Sequence, residues 1–385
     1  MEQYLNPRVK EIQISGIRQF FNRVANYPDA ISLTLGLPDF PTPDHVKSAA
    51  KTAIDDNFTT YTHNAGFIEL RRAISSFVQK KYNLQYVAES EIIATTGASE
   101  AIDISLRTIL TEGDEVILPG PVYPGYEPVI RLCGATPVHV DTRSTDFKLT
   151  AKLIEQHLTS KTKCVILPYP SNPTGVSLSQ EDLTDIAALL MDKNVFILSD
   201  EIYSELTYGE PHKSIATFEK MKEKTIVING LSKSHSMTGW RIGFVCADQS
   251  IAQHMLKVHQ YNVTCVSSIT QRAALEALTN GINDAAPMRD TYKERLHYAY
   301  DRLQRMGLET SEPTGAFYLF PSIKQYEMDS WGFATALLDE ERLAVVPGIA
   351  FSSYGDDYIR ISYAYKMDQL KEGLDRLERF IAKKT

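Results

Sequence analysis

The stretch TIVINGLSKSHSMTGWRIGF, residues 225–244, joins an apolar run directly to a cluster of polar residues. TIVING has the composition of a buried strand, and Ser232, Lys233 and Ser234 follow it. Arg241 comes eight residues after the lysine, in a stretch with almost no other charge. A solvated loop lysine and an ion-paired arginine would explain the two cations. A lysine that forms a Schiff base with a carbonyl cofactor, beside groups that hold an anion, would explain them as well.

Five other runs of similar composition precede TIVING in the chain. They are EIIATT (91–96), DEVILP (114–119), TPVHV (136–140), KCVILP (163–168) and NVFILSD (194–200). Stretches with the apolar period of a helix lie between them, at 99–111, 150–159 and 179–193. Alternation of buried strands and amphipathic helices is typical of β-α crossovers around a mostly parallel sheet. The sequence therefore predicts a large α/β domain over residues 45–285.

The pattern changes in the last third of the chain. We predict long helices over 249–281 and 286–306, the second opening after Pro287, and a last amphipathic helix over 366–383. Short strand candidates are GAFYLF (315–320), LAVVP (343–347) and YIRISYA (358–364). Residues 286–385 and the N-terminal segment 1–44 therefore form a predicted smaller α+β domain. No linker separates the two parts, so we expect them to pack around a shared cleft.

The composition argues against several classes of function. The 385 residues are 43% hydrophobic and 23% charged, with a formal net charge of −8. This balance leaves no basic footprint for nucleic acid or an anionic membrane surface. No apolar run approaches the length of a membrane span, and charges interrupt the N-terminal apolar residues where a secretion signal would have none. We predict a cytoplasmic protein with small-molecule substrates and no nucleic-acid or membrane partner.

The four cysteines, Cys133, Cys164, Cys246 and Cys265, are far apart and form no C-x-x-C pair. This spacing argues against a disulfide framework and against a zinc site. The nine histidines also form no H-x-x-x-H pair. We therefore expect buried thiols in a reducing compartment and no bound metal.

Polar residues follow the predicted strands at their carboxyl ends, where open parallel sheets bind ligands. Gly97, Ala98 and Ser99 come after EIIATT and lead into a helix. A glycine turn at a helix N-terminus suits a phosphate, although an ordinary helix cap has the same composition. Asn172 follows KCVILP within YPSNPTG (169–175), where prolines restrain the backbone. It is either part of a rigid turn or a fixed hydrogen-bond donor.

The next strand end carries a carboxylate and a phenol. In SDEIYSE (199–205), Asp200 ends an apolar strand and Tyr203 comes three positions later. A helix cap with an acidic first turn would explain the aspartate. A partly desolvated carboxylate would instead need a cationic partner, which a protonated ring nitrogen supplies. Together with Lys233 after the following strand, these are the groups that a phosphorylated pyridine aldehyde requires.

Nine motifs, taken in order, resemble one family along essentially the whole chain. They are LGLPDFPTP (35–43), YTHNAGFIELRRAI (61–74), TTGASEAI (95–102), PGPVYPGY (119–126), YPSNPTG (169–175), SDEIY (199–203), LSKSHSMTGWRIG (231–243), PTGAFYLF (313–320) and YIRISYA (358–364). The set resembles the fold-type I, pyridoxal-phosphate-dependent aminotransferases of class I/II. The segments IQISGIRQFF, LSDEIYSELTY and LSKSHSMTGWRIGF are more narrowly similar to the acetyl-diaminopimelate aminotransferases of lysine biosynthesis in Gram-positive bacteria.

The resemblance implies a fold and a role for each matching residue. The fold would be a large domain with a mostly parallel seven-stranded sheet and a smaller α+β domain. Lys233 would bind the cofactor aldehyde and then act as the base, and Asp200 would pair with the pyridinium nitrogen. Asn172 and Tyr203 would hydrogen-bond the ring oxygen, and Tyr123 would stack on the ring. The implied phosphate site consists of Gly97, Ala98, Ser99, Ser232 and Arg241, with Tyr61 reaching the phosphate of the neighbouring subunit.

Two further residues would hold the substrate, together with Asn172. By the same resemblance, Arg360 would clamp the α-carboxylate and Gly36 would close over it. From the residues alone, an ion pair of Arg360 with Asp356 or Asp357 is equally consistent with the sequence.

The implied reaction exchanges an amino group between an amino acid and 2-oxoglutarate, in a homodimer with active sites at the subunit interface. N-acetyl-LL-diaminopimelate is the expected amino acid, with aspartate or an aromatic amino acid as the second possibility. The same fold and cofactor would also suit a C–S lyase of the cystathionine β-lyase type. A cofactor-sensing regulator is less compatible with the sequence, because the chain lacks a basic N-terminal module for binding DNA. We expect Ile14, Ser15 and Ile17 to pack over the cleft and to influence which side chain is accepted.

Overall fold

A computed structural model describes residues 1–384 and shows an α/β fold. The strands are β1 (Ile31–Ser32), β2 (Ile92–Thr95), β3 (Glu115–Gly120), β4 (Thr136–Asp141), β5 (Thr162–Leu167), β6 (Phe196–Asp200), β7 (Thr225–Gly230), β8 (Gly243–Cys246), β9 (Tyr318–Leu319), β10 (Leu343–Ala344), β11 (Val346–Pro347) and β12 (Ile359–Ser362). The α-helices are α1 (Pro7–Glu11), α2 (Gly16–Val24), α3 (Asp44–Asp55), α4 (Ile68–Tyr82), α5 (Gly97–Ile109), α6 (Tyr126–Leu132), α7 (Ala151–His157), α8 (Gln180–Leu190), α9 (Leu231–Ser234), α10 (Gln249–Val263), α11 (Ser268–Thr279), α12 (Ala285–Arg305), α13 (Ser330–Glu341) and α14 (Met367–Ala382).

The large sheet has seven strands in the order β2-β8-β7-β6-β5-β3-β4. Strand β8 is antiparallel to both neighbours, and the other neighbours pair in parallel. All residues of β2, β7 and β8 are buried, as expected for strands that helices cover on both faces. The predicted fold class is confirmed, and the six predicted runs correspond to β2 to β7.

Strand β8 is the member of the large sheet that the apolar runs do not predict. Its four residues, GFVC, follow the polar stretch after Lys233. A run this short carries no usable periodicity. The strand forms because all four residues pair with β7 on one side and β2 on the other.

The single helix predicted over 249–281 is wrong, because the structure has two helices there. Helix α10 ends at Val263, and the next residue, Thr264, has a φ of 66°. The Ser267 side chain then accepts a hydrogen bond from the backbone N–H of Thr270 and caps α11. Helix α12 begins at Ala285 rather than after Pro287. A proline is tolerated there because the first turn of a helix leaves its N–H groups without intrahelical partners.

The C-terminal part forms a small antiparallel sheet, in the order β11-β12-β9. The run LAVVP divides into two strands, since β10 instead pairs in parallel with β1 of the N-terminal segment. Phe20 and Leu33 are fully buried in the same hydrophobic cluster as side chains of α12, α13 and α14. The N-terminal segment is thus packed against the C-terminal helices, and this arrangement brings it close to the edge of the large sheet. The domain boundaries at residues 45 and 285 stay a prediction.

No helix among residues 1–384 is both long and apolar enough to cross a membrane.

Candidate active site

A cavity of about 530 Å³ lies at the carboxyl ends of the parallel strands. Asp200 ends β6, Lys233 lies in the short helix after β7, and Ala98 lies in the first turn of the helix after β2. The topology therefore brings together residues that are far apart in the chain. The predicted site residues that line the cavity are Gly36, Ala98, Ser99, Tyr123, Asn172, Asp200, Tyr203, Ser232, Lys233, Arg241 and Arg360.

Two predicted residues lie outside this lining. Gly97 lies directly behind it, with a φ of +78°, and a Cβ there would approach an Arg241 guanidinium nitrogen to 2.5 Å. Glycine at this position therefore lets the N-terminus of α5 and the arginine lie side by side. Tyr61 is 85% exposed and does not contact the cavity of its own chain.

Asp200 is a buried carboxylate that hydrogen bonds neutral donors only. Its Oδ2 accepts from the Tyr126 hydroxyl at 2.6 Å, and its Oδ1 accepts from the Ile202 N–H at 3.2 Å. Burial raises the pKa of Asp200 to about 6, against the opposing effect of the Tyr126 hydrogen bond. Within residues 1–384, no lysine, arginine or histidine forms an ion pair with it. A cationic group placed in the cavity would compensate this charge.

Lys233 extends into the cavity from the first turn after β7. Its Nζ donates a hydrogen bond to the Gly36 carbonyl at 2.6 Å. Burial, together with the nearby cations Arg360 and Arg241, lowers the pKa of Lys233 to about 8. A substantial fraction of this amine is therefore neutral near pH 8, which is the form that attacks a carbonyl.

Arg360, in β12, is only 2% exposed and has no carboxylate partner in the described chain. Its guanidinium donates to Asn172 Oδ1 at 2.8 Å and to the Thr34 carbonyl at 2.6 Å. The ion pair with Asp356 or Asp357 is not formed. The Nε of Arg360 is buried without a hydrogen bond. A buried arginine in this state can bind a carboxylate that enters the cavity.

Arg241 and the N-terminus of α5 form the other end of the cavity. The guanidinium donates to the Thr238 carbonyl at 3.1 Å and to the Thr96 carbonyl at 3.4 Å. Neither bond neutralises its charge. Ala98 and Ser99 lie in the first turn of the thirteen-residue helix α5, where N–H groups lack intrahelical partners. This end of the cavity can therefore bind a phosphate.

The three residues that are expected to contact the pyridine ring also line the cavity: Tyr203, Tyr123 and Asn172. Tyr203 is buried, and its hydroxyl hydrogen bonds the Tyr318 hydroxyl at 2.8 Å. Tyr123 lies edge to face with Tyr126, with ring centroids 5.6 Å apart. Because Asn172 Oδ1 accepts from Arg360, its Nδ2 is left as the donor. Because either hydroxyl can be the donor in the Tyr203–Tyr318 pair, the Tyr203 hydroxyl and the Asn172 amide N–H can both donate to an oxygen bound in the cavity.

Sequence reasoning missed three residues that support the site. Tyr126, which bonds Asp200, stands at the end of PGPVYPGY, and Tyr318, whose ring lies 4.5 Å from the Arg360 guanidinium carbon, stands in PTGAFYLF. Both lie inside motifs that carry the family resemblance, so the motifs were a signal for them. Thr34 acts through its backbone carbonyl, so its side chain offers no signal.

The N-terminal segment covers the mouth of the cavity. Ser15 and Ile17 line it, whereas Ile14 is 68% exposed and does not. Arg18 and Phe21 of α2 also line it, although neither was predicted. In the part of the chain that the structure describes, there is no cluster of His, Cys, Asp and Glu side chains suited to a metal ion.

Comparison with known proteins places these features in one family. The family model for aminotransferase class I and II matches residues 28–377. The chain is 65% identical over 384 residues to a probable N-acetyl-LL-diaminopimelate aminotransferase of Bacillus subtilis strain 168, covering 100% of this chain and 97% of the relative. It is 40% identical over 384 residues to an aspartate aminotransferase of Pyrococcus abyssi, covering 99% of both. An aromatic aminotransferase structure from Pyrococcus horikoshii matches with a TM-score of 0.90 at 39% identity, over 94% of this chain and 99% of that one.

Proposed function

Because this chain belongs to the class I and II aminotransferases, which are pyridoxal-phosphate-dependent enzymes, we propose that it exchanges an amino group between N-acetyl-LL-diaminopimelate and 2-oxoglutarate. The reaction would serve lysine biosynthesis. The support for this substrate is the 65% identity to the Bacillus subtilis relative, which extends over the entire chain. The aspartate and aromatic relatives are more distant, at 40% and 39% identity.

The observation that carries amino-group transfer is the set of unneutralised charges in one cavity. Lys233, Asp200 and Arg360 all line it, and none has an ion-pair partner among residues 1–384. Buried charges normally have partners. A phosphorylated pyridine aldehyde and an amino acid together supply the missing ones.

The residues present fit pyridoxal phosphate. In the proposed arrangement Ala98, Ser99, Ser232 and Arg241 bind the phosphate, while Gly97 allows the close approach of Arg241. Asp200 holds a proton on the ring nitrogen, Asn172 and Tyr203 bond the ring oxygen, and Tyr123 packs on the ring face. When bound, the cofactor supplies the aldehyde that takes up the amino group and a ring that accepts electron density from the substrate α-carbon.

The chain's own residues then direct the reaction. Arg360 binds the substrate α-carboxylate through two parallel hydrogen bonds and so fixes which bond of the α-carbon can break. The amine of Lys233, with its pKa near 8, would remove the α-proton and deliver it to the carbon of the former aldehyde group, on the other side of the transferred nitrogen. Before it reacts, this amine is held by its hydrogen bond to the Gly36 carbonyl.

The test is the visible absorption spectrum of the purified protein, before and after addition of L-glutamate alone. Transfer predicts loss of the band of the lysine-bound cofactor and release of 2-oxoglutarate. Turnover is then compared for N-acetyl-LL-diaminopimelate, L-aspartate and L-phenylalanine with 2-oxoglutarate as acceptor. A higher kcat/KM for either of the other donors would overturn the proposed substrate. Release of ammonia and pyruvate from a cystathionine-like compound would support the lyase instead.

The proposed active unit is a cytoplasmic homodimer. Its support is the position of Tyr61, which is 85% exposed and lies outside the cavity of its own chain. The family resemblance implies that a tyrosine at this point of the motif reaches the phosphate of the neighbouring subunit, which a symmetric dimer would allow at both sites. The cytoplasmic location rests on the four free and widely spaced cysteines.

A further inference from the structure

Arg18 is a cation at the mouth of the active-site cavity that no group of the described chain neutralises. It lies on the exposed face of α2 and lines the same cavity as Lys233 and Arg360. Its guanidinium makes no hydrogen bond, ion pair or ring contact with any residue from 1 to 384. By contrast, Arg23 on the same helix lies 3.4 Å from Asp339.

A count of the charged side chains that line the cavity shows that Arg18 lacks an anionic partner. The lining contains four cations, Arg18, Lys233, Arg241 and Arg360, and one carboxylate, Asp200. Under the proposed function, the phosphate pairs with Arg241, the ring nitrogen with Asp200 and the substrate α-carboxylate with Arg360, while Lys233 bonds the aldehyde. One positive charge is left over. A substrate with a single carboxylate would leave it unpaired.

We propose that Arg18 binds the distal carboxylate of both substrates, so that the site selects dicarboxylic amino acids and oxo acids. This inference rests on the proposed function. Glutamate, 2-oxoglutarate and N-acetyl-LL-diaminopimelate all carry a second carboxylate at the end away from the reacting carbon. One cation at the mouth therefore serves both halves of the exchange. The longer substrate reaches further, and a long, unrestrained arginine side chain can adjust to that difference.

The packing of α2 holds this arginine in place. Phe20 is fully buried, with its ring 5.7 Å from that of Trp331, and a Cβ on Gly16 would approach the Ala350 Cβ to 2.9 Å. The helix is thus fixed on the side away from the cavity. On the cavity side, Ile17 and the 42% exposed Phe21 lie close to Arg18 in the sequence and offer apolar surface. Apolar walls leading to a terminal cation suit a methylene chain that ends in a carboxylate.

The test compares two unreactive ligands of equal length on the cofactor-loaded protein. Glutarate has five carbons and two carboxylates, whereas pentanoate has five carbons and one. Calorimetry should show that Arg18→Gln weakens glutarate binding about tenfold relative to pentanoate, the low end of the range for a charged hydrogen bond because the mouth faces solvent. Arg18→Lys should recover part of the preference. Arg23→Gln, with the same charge change on the same helix, should keep the wild-type ratio.

A kinetic measurement makes the same comparison between a dicarboxylic and a monocarboxylic ligand, now with amino-acid substrates. The ratio of kcat/KM for L-glutamate over L-norvaline, its five-carbon monocarboxylic counterpart, should fall about tenfold in Arg18→Gln, and added salt should reduce the wild-type ratio. An unchanged glutarate-to-pentanoate ratio in Arg18→Gln, with a native circular dichroism spectrum, would overturn the inference. Failure of the proposed function would give a different result, namely no amino transfer from glutamate in the wild-type protein. In that case the ratio of glutarate to pentanoate binding would still test the role of Arg18.

Discussion

Replacement of Asp200 by asparagine should stabilise the cofactor-free protein while it impairs the reaction. The structure raises the pKa of this buried carboxyl to about 6, whereas the ordinary value is near 3.8. That is a shift of roughly 2 units, and at about 1.4 kcal/mol per unit the ionised carboxylate costs about 3 kcal/mol above pH 6. Asparagine avoids this cost. It keeps an oxygen for only one of the two hydrogen bonds to Asp200, so we expect a net gain of about 1 to 2 kcal/mol.

The pH dependence of the stability difference separates the effect of the Asp200 charge from other effects of the substitution. Because the folded-state pKa is raised, protonation of Asp200 stabilises the fold fully below about pH 4, and this contribution is lost as the pH rises through 6. The advantage of asparagine should therefore be largest at pH 8 and smaller at pH 5. Thermal melting of the cofactor-free proteins at the two pH values measures it.

A control and an activity measurement complete this test. In the wild type, Asp39 Oδ1 lies 2.8 Å from a guanidinium nitrogen of Arg295 in a salt bridge. Asp39→Asn removes this negative charge and should instead lower the melting temperature at pH 8. Under the proposed function, cofactor-loaded Asp200→Asn should lose about 100- to 1,000-fold in kcat, because the ring nitrogen would lose its proposed counter-ion. An Asp200→Asn melting advantage that is the same at pH 5 and pH 8, or absent at pH 8, would refute the account of its burial.

Three further outcomes are expected. In the cofactor-free protein, the rate at which Lys233 attaches pyridoxal phosphate should rise with pH and level off above about 8, where its amine is neutral; a rate that still climbs through pH 10 would contradict the lowered pKa. Arg360→Lys should raise KM about 10- to 100-fold for monocarboxylic and dicarboxylic donors alike without changing the cofactor spectrum, since two parallel hydrogen bonds are lost; a loss confined to dicarboxylic donors would assign its role to the wrong carboxylate. In the proposed homodimer, hybrids of Tyr61→Phe and Lys233→Ala subunits should regain wild-type cofactor affinity at one site in two, because the only site with a native lysine would receive Tyr61 from the other subunit. Hybrids no better than the Tyr61→Phe homodimer would place that tyrosine in its own site.

The residues of the site were predictable where a strand end exposes a polar side chain. Asp200, Asn172 and Lys233 each follow an apolar run, and parallel strands bring their carboxyl ends to one edge. Arg360 was predictable only through its motif, because an arginine in a short strand has several ordinary explanations. Its burial and its lack of a carboxylate partner in the described chain are properties of the packed structure.

Other features depended on contacts that no local pattern encodes. The strand GFVC is too short to show a period. It forms because its residues pair with β2 on one side and β7 on the other. The end of α10 at Val263 lies in an apparently continuous amphipathic stretch. Tyr126 supports Asp200 across 74 positions of sequence, so its role appears only when α6 and β6 are brought together.

The sequence by itself determined the alternation of elements, the chemical types at the strand ends and the family, because periodicity and local motifs are properties of neighbouring residues. Only the tertiary structure decided the electrostatics of the cavity. Burial raises the pKa of Asp200 and lowers that of Lys233, and the absence of a partner for Arg18 in the described chain follows from where α2 packs. These quantities depend on distance and solvent exposure in three dimensions, which residues far apart in the chain set together.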